Sequence, residues 1–166
     1  RGASAARVRA VRVGALDVDA FERLLWGRIA GGGRGFVPVG TTGESPTLTH
    51  DERRQLIELA VKFARQRCQV IAGTGSNSTR DTIAHTREAQ EIGADGALVV
   101  VPYYNKPSQE GLFQHFESVA QATSLPILLY HVPGRCGTGL GADNVVSRRR
   151  PRATISPRQW GEGCRV

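Results

Sequence analysis

At 166 residues the chain has room for about one domain, and at 40% hydrophobic it can bury a core. Its formal charge of +7 invites a nucleic-acid reading until it is located: the excess lies wholly in residues 1–35 and 141–166, and the span between them nearly balances. Neither end interleaves aromatics with its arginines, and no apolar run reaches membrane-spanning length, so neither nucleic acid nor membrane is an expected partner.

In chain order, residues 1–13 alternate small residues, Arg and Val. Val8, Val11 and Val13 suit a strand, but the arginine content reads as an aberrant or disordered segment. The arginine-rich start has no apolar stretch behind it and does not read as a secretory signal. From Gly14 to Val18 the chain turns into a helix with Val18, Phe21, Leu24, Leu25 and Ile29 on one face, stopped at Gly31-Gly32-Gly33. A buried strand near 36–39 then runs into Gly40-Thr41-Thr42-Gly43-Glu44-Ser45. Val37 and Val39 suit a strand interior, while Gly40 and Gly43 allow turns that a side chain would block. Two hydroxyls and several backbone N–H groups gathered in that turn suit a small carboxylate. A plain strand-to-helix turn is the alternative for this stretch taken alone.

Thr49-His50-Asp51-Glu52 has capping-box spacing and opens a helix over about 51–67. Leu56, Ile57, Ala60, Phe63 and Ala64 form its apolar side. A strand at 69–72 leads to a second hydroxyl-bearing glycine turn, Gly73-Thr74-Gly75-Ser76-Asn77. Ser78 and Asp81 are spaced to cap a helix that ends before Gly93. Residues 97–101 are a continuous apolar strand, as expected where both faces are covered. The loop Pro102-Tyr103-Tyr104-Asn105-Lys106-Pro107 follows, then a helix capped by Ser108. A fourth strand at 127–130 exits through His131-Val132-Pro133-Gly134-Arg135.

Parallel strands alternating with helices mean an α/β fold. Chemically rich loops at the carboxyl ends of consecutive strands favour a (β/α)8 barrel. The competing architecture is an open doubly wound sheet, which favours one dominant phosphate loop. No G-x-G-x-x-G follows any strand. Cys68, Cys136 and Cys164 form no C-x-x-C, which favours a reducing, cytoplasmic setting. No H-E-x-x-H or paired carboxylate links His50, His85, His115 or His131, so no metal or other cofactor is expected.

Four motifs occur in order: Gly40-Thr41-Thr42-Gly43-Glu44-Ser45, Ala72-Gly73-Thr74-Gly75-Ser76-Asn77, Pro102-Tyr103-Tyr104-Asn105-Lys106-Pro107 with Gln109-Glu110-Gly111, and Tyr130-x-Val132-Pro133-x-Arg135. Over about residues 14–146 they resemble the dihydrodipicolinate synthase family, within the pyruvate-dependent aldolases that also include N-acetylneuraminate lyase. The double tyrosine before Asn-Lys-Pro, and Arg135, favour the synthase over the sialic-acid lyase. The resemblance implies a lyase that joins pyruvate to aspartate semialdehyde through a lysine Schiff base, early in lysine biosynthesis. It matches Thr42 to the pyruvate carboxylate, Thr41 and Tyr104 to a proton relay, and Tyr130 to the group that donates and accepts protons. It matches Arg135 to the semialdehyde carboxylate. Tyr104 matches a residue that reaches into a neighbouring subunit, which implies a homo-dimer or tetramer. His131 departs from the family's usual asparagine.

The resemblance breaks at the tail, 147–166, which reads as aberrant or disordered. By count, the Schiff-base lysine would fall near Arg158, yet Lys62 and Lys106 are the only lysines. A full barrel takes about 250 residues. The expectation is therefore about the first five strand–helix units, from a chain that starts without methionine and reads as a fragment. The reading of a different class is a non-catalytic half-barrel or a basic-ended binding protein.

Overall fold

The computed structural model describes residues 4–6, 11–12, 15–64 and 67–141. The tail from 142 onward, including Arg158, lies outside the described residues, as does most of 1–13. Five strands run parallel: Ser4–Ala6 (β1), Gly35–Val37 (β4), Gln69–Gly73 (β5), Gly96–Val100 (β6) and Ile127–Tyr130 (β7). Val11–Arg12 (β2) and Ala15–Leu16 (β3) form a separate antiparallel pair. The sheet order is β1-β4-β5-β6-β7, so each strand lies beside the one before it in the winding. A doubly wound sheet reverses at a switch point. This sheet never reverses, which is the winding of a (β/α)8 barrel.

Helices fill the connections: Val18–Ala30 (α1), His50–Ala64 (α2), Thr79–Ile92 (α3) and Gln109–Gln121 (α4). A short fifth helix, Pro133–Cys136 (α5), lies where only an exit loop is expected from sequence. Alternation along the strands divides the core in two. Phe36, Val70, Ala72, Ala97 and Val99 belong to the large cluster with Phe21, Leu25, Ile57, Leu112 and Phe116 of the helices. Val37, Ile71 and Leu98 form a second cluster, with Leu128 and Tyr130 packed against it. Both strand faces are therefore apolar, as the unbroken run at 97–101 requires.

Local chemistry sets the helix starts. The Thr49 N–H donates to Glu52 Oε2 (2.8 Å), and the Glu52 N–H donates back to Thr49 Oγ1 (3.2 Å). That is a complete capping box. At α3 only half of one forms: the Asp81 N–H donates to Ser78 Oγ (3.3 Å), while the Ser78 N–H goes to Ser76 Oγ (3.2 Å). Asp17, not foreseen as a cap, accepts from the Ala20 N–H at 2.8 Å. Gly93 ends α3 in the left-handed conformation, φ 97°, which glycine adopts at little cost.

Within residues 1–13, Ser4–Ala6 pairs with Gly35–Val37 and supplies the first strand of the sheet. The strand expected at 36–39 instead spans Gly35–Val37. Val39 has φ 57°, a region closed to β strands.

Candidate active site

Every loop that carries a sequence motif leaves the carboxyl end of a strand, so the parallel sheet gathers them at one end. After β4, Gly40 is extended (φ −67°, ψ 161°) and Thr41–Gly43 makes one tight helical turn. The Gly43 N–H donates to the Gly40 carbonyl (2.7 Å) and the Glu44 N–H to the Thr41 carbonyl (3.2 Å). Thr41 is half-buried. Ser45–Thr47 adds a second such turn before α2.

The β5 exit is wedged between its neighbours. The Gly73 N–H donates to the Pro38 carbonyl (2.9 Å), and the Thr74 N–H to the Leu98 carbonyl (3.0 Å). A Cβ on Gly73 would overlap the Val39 carbonyl oxygen, and one on Gly75 would overlap the Val100 nitrogen. These two glycines are what allow three exit segments to stack. Threonines of α3 fix the loop from below. Thr86 Oγ1 lies 2.8 Å from Thr74 Oγ1, and Thr82 Oγ1 accepts from the Ser76 N–H at 3.0 Å. Sequence reading missed both threonines, because a threonine inside a helix carries no signal of which loop it will meet.

After β6, Tyr103 packs against the core, whereas Tyr104 is 89% exposed. Asn105 Nδ2 donates to the Asn77 carbonyl (3.2 Å), tying this loop to the β5 exit. Tyr130 is the last residue of β7, half-buried and in register with Val100. Arg135 is exposed on α5, whose Cys136 is buried. The structure thus brings Thr41, Thr42, Tyr104, Tyr130 and Arg135 to the same end of the sheet, on the exits of β4, β6 and β7. Lys106 shares the Tyr104 loop and is exposed; Lys62 is exposed in the last turn of α2.

Among the described residues, Val39, Glu44, Tyr104 and Lys106 are the non-glycine residues with positive φ, and all four lie in these exits. Such strain costs about 1–3 kcal/mol at each residue and persists only where surroundings enforce it. The loops are therefore held, not merely connecting. Among the described residues no three His, Cys, Asp or Glu side chains gather as metal ligands, and no helix is long and apolar enough to cross a membrane.

Beneath the loops lies a charge cluster that sequence reading passed over. Arg53 of α2 is only 7% exposed, and its guanidinium donates to the Gly73 carbonyl (3.1 Å) and the Ser45 carbonyl (3.5 Å). Burial lowers the Arg53 pKa; the nearby Glu88 and Tyr103 oppose that shift. Burial also lowers the His85 pKa from the ordinary 6.5, and the Arg53 charge lowers it further. A lowered histidine pKa means the folded protein binds that proton less well than the unfolded chain does. The His85 contribution to stability is then full above about pH 6.5 and is lost as pH falls from there through the folded-state value. Urea unfolding at pH 7.5 and pH 5 is expected to show the wild type losing more stability on acidification than His85→Gln. An equal loss in both would remove His85 from the account.

The sequence profile of the Dihydrodipicolinate synthetase family matches residues 4–148, so the match begins at β1 rather than at Gly14. The 4-hydroxy-tetrahydrodipicolinate synthase of Phenylobacterium zucineum (strain HLK1) is 53% identical over 146 residues, covering 88% of this chain and 50% of that protein. The solved structure of the 4-hydroxy-tetrahydrodipicolinate synthase from Methylacidiphilum fumariolicum SolV superposes with a TM-score of 0.85 at 51% identity. That match covers 87% of this chain and 48% of the other. The chloride-inhibited dihydrodipicolinate synthase from Acinetobacter baumannii, solved in complex with pyruvate, gives 0.85 at 46% identity, covering 88% and 50%. The chain spans about half the length of the curated relatives it matches. With its unreversed parallel winding and its four motifs at one end of the sheet, the chain belongs to the dihydrodipicolinate synthetase family.

Proposed function

We propose that this chain carries the pyruvate-binding and proton-relay half of a lyase site. The reaction is condensation of pyruvate with aspartate semialdehyde to 4-hydroxy-tetrahydrodipicolinate, in lysine biosynthesis, and the setting is cytoplasmic. The observation that carries the reading is the placement of the Thr41–Gly43 turn, the Tyr104 loop and Tyr130 at the same end of one parallel sheet, on the exits of β4, β6 and β7. In this reading Thr42 holds the pyruvate carboxylate. Thr41, Tyr104 and Tyr130 pass a proton, since each hydroxyl can both donate and accept a hydrogen bond. Arg135 offers a planar fork for the carboxylate of the semialdehyde. Tyr104, 89% exposed, is the side chain a second subunit of a dimer or tetramer would cover.

The second reading, a non-catalytic half-barrel, is favoured by the lysines. The covalent step needs a neutral amine beside the bound pyruvate, and Lys62 and Lys106 are both exposed.

Amide-resolved NMR titration of the chain with pyruvate tests the binding half. Shifts are expected at Thr41, Thr42 and Gly43, and Thr42→Val should weaken binding about tenfold, the loss of one hydrogen bond to a charged group. Shifts confined to other loops, or none, would reject the site.

A further inference from the structure

Arg53 is a buried cation for which the proposed reaction has no role. Apart from lysine, arginine is among the residues least often fully buried, and it stays charged in proteins. Its place in the hydrogen-bond pattern explains its presence. Gly73 stands at the centre of that pattern. Its N–H donates to the Pro38 carbonyl at 2.9 Å, just before the Thr41–Gly43 turn. Its carbonyl accepts from Arg53 Nη2 at 3.1 Å. The other arm of the guanidinium, Nη1, reaches the carbonyl of Ser45 at 3.5 Å, just after the same turn. Ser45 is itself only 6% exposed. The turn is thus held at both shoulders, Pro38 and Ser45, against one residue of β5. Glu88, which pairs with Arg54 Nη1 (3.4 Å) and His50 Nε2 (3.3 Å), places negative charge on the α3 side of the cluster.

We propose that Arg53 is a positioning residue whose forked guanidinium clamps the loop leaving β4 to the end of β5, fixing the Thr41–Gly43 turn in the shape that receives a carboxylate. The clamp follows from geometry; its consequence for pyruvate rests on the reading under Proposed function. Two carbonyls, one in the β4 exit and one at the end of β5, need two donors in fixed relation. A guanidinium supplies them, whereas an ammonium on a flexible stem supplies a point charge.

Hydrogen exchange on the full 166-residue chain, resolved by amide, is the test. Arg53→Met keeps much of the stem's bulk and removes the donors. Exchange at Gly43, Glu44 and Gly73 is expected to rise about tenfold or more relative to Ala97 and Leu112, and pyruvate affinity to fall about tenfold, as for loss of a charge-assisted bond. Arg53→Lys should restore protection at Gly73 but not at Glu44, since one nitrogen serves the shorter contact. If Arg53→Met does not fold, Arg53→Leu, which also removes the donors, gives the same comparison. Uniform acceleration at all five amides would show a purely structural arginine and overturn the proposal, as would unchanged exchange at the turn. Selective loss at the turn, in a chain whose wild type does not bind pyruvate there, would uphold the clamp and reject the pyruvate reading.

Discussion

Gly73→Ala is expected to destabilise the chain by about 3 kcal/mol, at the upper end of what overpacking costs. The added methyl would fall on the Val39 carbonyl oxygen and lie 2.8 Å from the Gly40 nitrogen. Both are backbone atoms, so no side chain can swing away to make room. Relief requires moving β5 away from the β4 exit. That would stretch the Gly73-to-Pro38 and Arg53-to-Gly73 hydrogen bonds together. Pyruvate-induced shifts at Thr41–Gly43 should then vanish even where the variant remains folded. Gly27→Ala is the control: it lies within α1, and a Cβ there meets nothing within 4 Å. Helix propensity alone should make that variant more stable by up to about 1 kcal/mol. Urea unfolding of the two variants beside wild type gives both numbers, and a Gly73→Ala midpoint equal to wild type would contradict the stacking of the exits.

No covalent adduct is expected when the 166-residue chain is treated with pyruvate and borohydride and its intact mass is measured. Imine formation needs a lysine amine that is neutral and held against the pyruvate carbonyl carbon. Lys62 sits in the last turn of α2, and that helix starts just after the β4 exit and runs back toward the start of β5. Lys62 is therefore at the end of the sheet away from Thr41 and Tyr130. Lys106 is at the correct end but is exposed, in a strained loop (φ 44°) beyond Tyr104, with its stem 3.5 Å from where a Gly137 Cβ would be. An arginine cannot take over, because its guanidinium stays protonated and is a poor nucleophile. A stoichiometric mass increase on Lys106 would place the nucleophile in the β6 exit and change the proposed chemistry.

The sequence by itself determined the elements whose signals are local. Apolar spacing at 18–29 and 51–64 gives helices because side chains 3 and 4 apart share a face. Thr49 with Glu52, and Ser108, set helix starts because a cap needs only its own first turn. The unbroken apolar run at 97–101 announced a strand covered on both faces. Because strands and helices alternate, the motif loops all had to fall at the same strand ends; that Thr41, Thr42, Tyr104, Tyr130 and Arg135 act as a group within them is what the family resemblance implied.

Tertiary structure decided what depends on partners distant in the chain. Ser4–Ala6 is too short and too small to show a period, and it is a strand because Gly35–Val37 offers it a ladder. Val39 leaves the strand with φ 57°, where its carbonyl packs so closely on Gly73 that a Cβ there would overlap it. Ser78 caps α3 without the reciprocal bond because Ser76, drawn in by Thr82, takes its N–H. Arg53 reads from sequence as one more solvated cation of an amphipathic helix. It is buried because carbonyls 8 and 20 residues away converge on it. A buried charge is tolerated only where such acceptors converge, and no local pattern encodes that convergence.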